Sequence, residues 1–315
     1  MPTLLIQLPV PQLNFGRRTG NVPLAGANLR AAWGPYHPGG RQATTLLPQA
    51  TATYLGDAAL LNQIRVLAPD WVGFSAYAWN IDRTLWLASQ LKNKFGLKII
   101  IGGPEVTADN PRLGDADIDI LVCGEGESLF PEHHRLLAAD TPQSVTLGPD
   151  KGFCQRPSPY LMGDLTPELD NMVLLETQRG CPHQCGYCFY GKGRRRIHLA
   201  EEAHILTAAQ WTCDHGIGEL YLLDPALNAR PGLESLLKRL GAINAHGAMS
   251  LHSEIRAEAV DAPLAEAMAE AGFRSLEIGL QSTTPKALEL TGRRCDLKRF
   301  LMGVRHLMAH EIECS

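Results

Sequence analysis

The 315-residue chain contains no apolar run approaching the ~18 positions needed to cross a bilayer, so no membrane span is read. Its amino terminus, Met1-Pro-Thr-Leu-Leu-Ile-Gln-Leu-Pro9, lacks a basic stretch and is interrupted by prolines, so no signal peptide is read there either. Neither sign of charge is in large excess. Twenty-nine Lys and Arg against 33 Asp and Glu leave a net charge of −4. That balance gives no general attraction to nucleic acid or to an anionic membrane, and neither partner is expected. Eight cysteines are too few for a disulfide framework in a chain this long. With no export signal, a reducing cytoplasm is the expected compartment. Cys123, Cys154, Cys213, Cys295 and Cys314 stand singly and read as small apolar residues. With 45% hydrophobic residues the chain can bury a sizeable core, and two domains are expected.

The remaining cysteines are not scattered. Cys181-Pro-His-Gln-Cys185-Gly-Tyr-Cys188 places three thiols on one short loop. Three thiolates can hold three irons of a [4Fe–4S] cluster and leave the fourth iron open, which suits a substrate-binding role. Zinc is the competing reading, with His183 or His198 as fourth ligand. His183 lies too close in sequence to its neighbours to close a tetrahedron comfortably, and no second Cys-x2-Cys is present. A chance group of buried thiols is the third reading.

Short apolar runs alternate with amphipathic stretches through the first half, the pattern of an α/β domain with a parallel sheet. Strands are expected at Leu4–Leu8, Trp71–Ser75, Lys98–Ile101 and Ile118–Cys123. Helices are expected over Leu60–Leu67, from about Asp82 to Phe95 with Asn80 as cap and Gly96 as stop, and through about Leu137. The domain is expected to span 1–140. Residues 141–170, with prolines, glycines and little periodicity, read as linker. From 171 to 315 the β/α alternation resumes. Strands are expected at Met172–Glu176, Leu220–Leu223, Ala248–His252 and Ser275–Leu280, with helices around Glu201–His215, Gly232–Ala245, Leu264–Ala271 and Leu297–Ala309. This is the pattern of a (β/α) barrel, whose site forms at the carboxyl ends of its strands. Glu311 to Ser315 reads as the start of a fifth strand, so the chain reads as the front portion of a longer protein or a short variant.

The spacing C-x3-C-x-aromatic-C resembles the signature of radical S-adenosylmethionine (SAM) enzymes. Taken with the first half, the chain is similar to the cobalamin (B12)-binding radical SAM proteins. The residues that carry the likeness there are Val72 to Asn80, Ile101 to Glu105 and Cys123 to Glu127. The resemblance implies a Rossmann or flavodoxin-like cobalamin domain followed by a partial TIM-like radical SAM barrel. It implies cobalamin contacts from Ser75 and Tyr77, from Gly102, Gly103, Pro104 and Glu105, and from Gly124 and Glu125. Glu125 and Glu127 equally suit capping of the helix after them. The family's Asp-x-His-x-x-Gly element is absent, and His37, beside Pro38-Gly39-Gly40, suits a loop better than a cobalt ligand.

In the second half the resemblance makes Cys181, Cys185 and Cys188 the cluster ligands. It places Tyr187, Asp224 (with Asn228), Glu254, Arg256, Gly279 and Gln281 around SAM. Arg256 could hold the methionyl carboxylate by paired hydrogen bonds, or form an ion pair with Glu254 or Glu258. Arg194 to Arg196 could meet an anionic substrate or form a solvated turn. The implied activity is reductive SAM cleavage at the cluster and methylation of an unactivated carbon, with the cofactors supplying the hard chemistry. Its partners would be a flavodoxin- or ferredoxin-type electron donor and a small-molecule or peptide substrate. Cyclisation or rearrangement without cobalamin, and a non-catalytic cofactor-binding fragment, are the other readings.

Overall fold

The computed structural model describes residues 2–10, 21–37, 39–114, 117–130, 134–138, 141–167, 171–188, 190 and 196–315. The chain forms two compact units, Met1–Gly152 with Met162–Asp170, and Phe153–Leu161 with Asn171–Ser315.

The first unit is a six-stranded sheet in which every pair is parallel. Its strands are β1 (Thr3–Gln7), β2 (Thr44–Leu46), β3 (Trp71–Ser75), β4 (Lys98–Gly102), β5 (Ile120–Gly124) and β6 (Gln143–Leu147), ordered β2-β1-β3-β4-β5-β6. A sheet covered on both faces needs apolar residues at consecutive positions, which is why Lys98-Ile-Ile-Ile reads as an unbroken run. Alternate residues serve opposite faces. Leu4, Ile6, Val72, Phe74, Ile99 and Ile101 pack with Leu60 and Ile64 of α3 (Asp57–Leu67) and Leu87 and Leu91 of α4 (Ile81–Phe95). Leu5, Trp71, Ile100 and Val122 pack with Trp33 of α1 (Leu24–Trp33) and with Phe130.

Helix α4 starts after Asn80 and stops at Gly96, whose φ of 66° is the left-handed stop that glycine accepts. Asn80 does not cap the helix with its side chain. Its amide oxygen accepts from Tyr77 N (2.8 Å), and its Nδ2 donates to Leu8 O (3.0 Å) and Ser75 O (3.2 Å). One buried asparagine thus ties together the carboxyl ends of β1 and β3. In a doubly wound sheet, ligands bind at the carboxyl ends of strands beside a reversal of strand order, and β1 and β3 flank one.

The linker expected over 141–170 needs correction at two places in this unit. Residues 143–147 are not linker but β6, paired along its length with β5. Residues 162–164 return to the same unit, where Asp164 is paired with Arg30 (3.0 Å) and Arg41. In the segment where a helix is expected through Leu137, Leu129 and Phe130 are helical, 3₁₀ turns lie at Gly126–Ser128 and His134–Ala138, and residues 131–133 lie outside those described. The sequence reading also passed over α1, β2 and α2 (Gln49–Tyr54).

The second unit carries a five-stranded parallel sheet of β7 (Met172–Leu175), β10 (Glu219–Leu222), β11 (Ser250–Ile255), β12 (Phe273–Ile278) and β13 (Glu313–Cys314). Their order, β13-β12-β11-β10-β7, follows the chain as an unfolded barrel wall would. Helices α5 (Glu202–Asp214), α6 (Leu233–Ile243), α7 (Ala262–Ala271) and α9 (Leu297–Ala309) connect successive strands, and α8 (Pro285–Leu290) is an extra turn before α9. Leu220, Leu222, Leu251 and Leu276 are buried. A two-residue antiparallel ladder, β8 (Gln178–Arg179) with β9 (His198–Leu199), joins the entry and exit of the cysteine loop.

Candidate active site

In the first unit, the residues read as one binding edge do come together. Ser75 ends β3 and Gly102 ends β4 beside it, paired in register. The following turns interlock, with Ala76 N donating to Gly102 O (2.7 Å) and Glu105 N to Ala76 O (3.2 Å). Gly103 has φ 111°, and any Cβ there would strike the Ala76 backbone. Pro104 follows in the same turn. The Glu105 carboxylate and backbone carbonyl accept from Asn110 Nδ2. Tyr77 stacks on Trp79 with ring centroids 4.5 Å apart and planes 8° apart, and Trp79 is exposed. Small residues at two strand ends beside a flat exposed ring suit a planar ligand such as a corrin.

The third element is turned elsewhere. A Cβ on Gly124 (φ 99°) would lie 2.1 Å from Leu147 O, so this glycine serves the close approach of β6. Glu125 is buried and accepts from Asp150 N at 2.6 Å. The carboxylates of Glu125, Glu127 and Asp150 gather within 4.8 Å of one another. Glu125, expected at the corrin, is thus engaged with the Asp150 backbone. His37 is buried, stacks on Phe130 (4.9 Å between centroids) and accepts from Gly39 N through Nδ1, which is a loop-building role.

In the second unit, Cys181 and Cys185 are buried and Cys188 is half-buried, and all three are free thiols. Burial pushes the Cys181 thiol up, and the neighbouring sulfurs of Cys188 and Cys185 push it further. Mutually repelling thiolates on one loop need a cationic centre among them, and a cluster with three ligands meets that need. The donor set fits. His183 is held below its usual range by burial and by the cations Arg256 and Arg293, which disfavours protonation within the loop. The loop is braced by Cys188 N to Cys185 O (3.0 Å) and by Gly186 N to Thr291 O (2.7 Å).

Asp224, expected beside SAM, has its carboxylate engaged inside the protein. It is fully buried, and its carboxylate accepts from Thr177 N and Gln178 N (both 2.9 Å) and from the Thr177 hydroxyl. Arg230 completes the knot through Thr177 O and Ala200 O. Asp224 therefore fixes the start of the cysteine loop. The Asn228 amide bridges Arg256 N and O. The Arg256 side chain is also committed, to Glu258 (2.7 Å) and to Arg294 O. The ion-pair alternative holds for Arg256, but the pair is largely buried rather than solvated.

Glu254 lies on the sheet face that also carries Tyr221, His252, Ser275 and Glu277. The register Tyr221↔His252↔Ser275 and Glu254↔Glu277 aligns them. Tyr221 donates to Glu277 (2.7 Å), and His252 Nδ1 meets Ser275 Oγ (2.7 Å). Burial, then Glu277, pushes the Glu254 carboxyl up. This polar face, Tyr221 and His252 included, was missed in the sequence. Its signal was a polar residue at alternate positions, Glu219 and Tyr221 on β10, Ser250, His252 and Glu254 on β11, and Ser275 and Glu277 on β12. Gly279 and Gln281 form a tight turn beyond β12, with Gln281 at φ 68°. Tyr187 is half-exposed beside Cys185. Arg194 and Arg195 lie outside the described residues. A groove of about 590 Å³ between α5 and α6, lined by Leu206, Trp211, Arg239 and Ile243, holds none of these residues.

Residues 175–315 match the model of the Radical SAM superfamily, and residues 44–133 match that of the B12 binding domain. The chain thus carries a region like a B12 binding domain followed by a region like a radical SAM domain. It is 29% identical over 195 residues to a 2-(S-pantetheinyl)-carbapenam-3-carboxylate methyltransferase of Streptantibioticus cattleyicolor, which covers 52% of this chain. It is 25% identical over 195 residues to the cobalamin-dependent radical SAM methyltransferase TokK of Streptomyces tokunonensis, covering 53%. The chain spans 28% and 29% of the lengths of those two relatives. The radical SAM methyltransferase TsrM of Kitasatospora setae shares the fold, with a TM-score of 0.74 at 15% identity over 99% of this chain and 66% of that one. Among the described residues no helix is long and apolar enough to cross a membrane.

Proposed function

We propose that this B12-binding radical SAM protein is a methyltransferase that alkylates an unactivated carbon of a small-molecule or peptide substrate. The observation that supports this best is the pairing, in one chain, of two strand-end sites. One is the glycine-rich edge at Ser75 and Gly102–Gly103, and the other is the three-cysteine loop. When bound, a [4Fe–4S] cluster supplies the electron that cleaves SAM, and cobalamin supplies the methyl group.

The chain's own residues supply position. Cys181, Cys185 and Cys188 would hold the cluster. Asp224, Thr177 and Arg230 set the loop's first residues, and Thr291 holds its middle. Gly279 and Gln281 shape the turn beside it. The face carrying Tyr221, His252, Glu254 and Glu277 offers hydrogen-bond partners to a polar substrate. Electrons would come from a flavodoxin- or ferredoxin-type donor in a reducing cytoplasm, the compartment that keeps such thiols free.

Anaerobic reconstitution tests this reading. The protein, expressed with added cobalamin, should carry about one corrin and four irons per chain, and should convert SAM to 5′-deoxyadenosine under reduction. Iron and SAM cleavage without corrin would instead support a radical SAM reaction of another type. Absence of iron would sink the radical chemistry altogether.

A further inference from the structure

We propose that the outward face of α9 is the docking surface for the electron donor, an acidic flavodoxin- or ferredoxin-type protein. The inference rests on the reading of the three-cysteine loop as a cluster site, and it gives the donor of that reading a place to bind.

Three observations carry it. The first is charge. Helix α9 contains Lys298, Arg299 and Arg305 and no acidic residue, in a chain whose net charge is −4. Among the described residues none of these three cations is paired with a carboxylate. The second is an apolar stripe. Phe300, Gly303 and Leu307 are the buried side of α9, and a Cβ on Gly303 would stand 2.0 Å from Ala257 O, so that side is fixed inward. At about 100° per residue, Lys298, Leu301, Met302 and Arg305 then fall on the opposite side. Leu301, Met302 and Met308 are 48%, 53% and 64% exposed. The third is position. Thr291 O accepts from Gly186 N (2.7 Å), and a Cβ on Gly292 would stand 3.0 Å from Gln184 O. Only residues 292–296 separate that contact with the cysteine loop from the first turn of α9, where Asp296 accepts from Lys298 N and Arg299 N.

A single exposed leucine or methionine is ordinary. Three on one helix face, flanked by unpaired cations, have the composition of a protein interface, with an apolar centre and a charged rim. Cations of one sign also fix the sign of the partner. The chemistry requires such a partner. Each SAM cleaved takes up one electron: the donor is oxidised by one, the S–C bond parts, and methionine leaves a 5′-deoxyadenosyl radical. Electron donors dock briefly on small surfaces, and charge steers the encounter, so one helix face beside the cysteine loop suits the task.

The test uses the reconstituted full chain, as wild type, as the double variant Lys298→Glu with Arg305→Glu, and as Leu301→Ala. Release of 5′-deoxyadenosine is driven in turn by reduced flavodoxin, by reduced [2Fe–2S] ferredoxin and by dithionite, which needs no docking surface. Charge reversal should raise the KM for at least one protein donor about 10-fold and leave the dithionite-driven rate unchanged. Leu301→Ala should raise the same KM severalfold. In the wild type the protein-driven rate should fall between about 50 and 300 mM salt, and the dithionite-driven rate should not. An unchanged KM in the double variant, or a wild type driven by dithionite and by neither protein, overturns the proposal. An equal fall in the dithionite-driven rate would assign α9 to architecture and overturn it too. Binding of the wild type to phosphatidylserine–phosphatidylcholine vesicles, or a dimer on sedimentation, abolished by charge reversal, would reassign the face to a membrane or to a second copy. A wild type that takes up no iron defeats the functional reading itself, and the iron assay separates that result from the others.

Discussion

A Cβ on Gly103 would stand 2.6 Å from the carbonyl oxygen of Ala76. The two turns beyond β3 and β4 therefore interlock only because this position has no side chain, at a φ of 111° that other residues rarely adopt. Gly103→Ala should lower the stability of the first unit by about 1–3 kcal/mol and shift Tyr77 and Trp79. Urea unfolding reports the first effect and corrin retention on gel filtration the second. Unchanged values for both would show that the interlock is slack.

Asp224 offers a pH test. Burial raises its carboxyl from 3.8 to about 6, against the opposing hydrogen bonds from Thr177 and Gln178. The folded state thus holds a proton that the unfolded chain releases near pH 4. Its contribution to stability is fullest below that and declines as pH rises to about 6, by up to about 3 kcal/mol. Asparagine cannot titrate. The stability of wild type relative to Asp224→Asn should therefore fall between pH 4 and pH 6.5 and then level off. A pH-independent difference would refute the shift.

Asp164 is almost wholly enclosed between Arg30 and Arg41, and Arg41 also donates to Met162 O at 3.0 Å. Asp164→Ala leaves two cations facing each other over an apolar gap. Because both arginines keep partial contact with water, the expected loss lies at the lower end for broken buried pairs, about 3 kcal/mol. Differential scanning calorimetry checks it, and a loss below measurement error would mean the pair is replaceable by solvent.

The cysteines divide sharply. Single changes of Cys181, Cys185 or Cys188 to Ala should abolish the broad cluster absorption and the bound iron. Cys295→Ala should retain both, because Cys295 stands outside the three-cysteine loop and its thiol is hydrogen-bonded to Glu258. Loss of iron in Cys295→Ala would make it a fourth ligand and close the site to SAM.

Much of this was legible in the sequence where one residue pattern has one physical solution. Ile99-Ile-Ile101 can only be a strand covered on both faces, and the stop at Gly96 marks the end of α4. The cysteine spacing declared its own chemistry. Where a segment is half-solvated the pattern weakens. Gln143-Ser-Val-Thr-Leu147 is an edge strand with one residue fully buried, so it resembled linker. Asp224 and Arg256 read as SAM contacts in the sequence, and the structure gives both side chains partners inside the protein. Sequence shows that a charge is present, but not whether an internal partner already holds it, as Thr177 and Glu258 do here.

The ladder of Gln178 with Leu199 and Arg179 with His198 bears on how metal enters this protein. Joining the ends of a loop of about 18 residues ahead of time removes roughly 2–3 kcal/mol of closure entropy that an open segment would surrender on chelation. Zinc fingers, by contrast, gain their fold from the ion. Iron here should load onto a segment whose two ends are joined by that ladder, so stripping it ought to bleach the protein without melting the body that carries it.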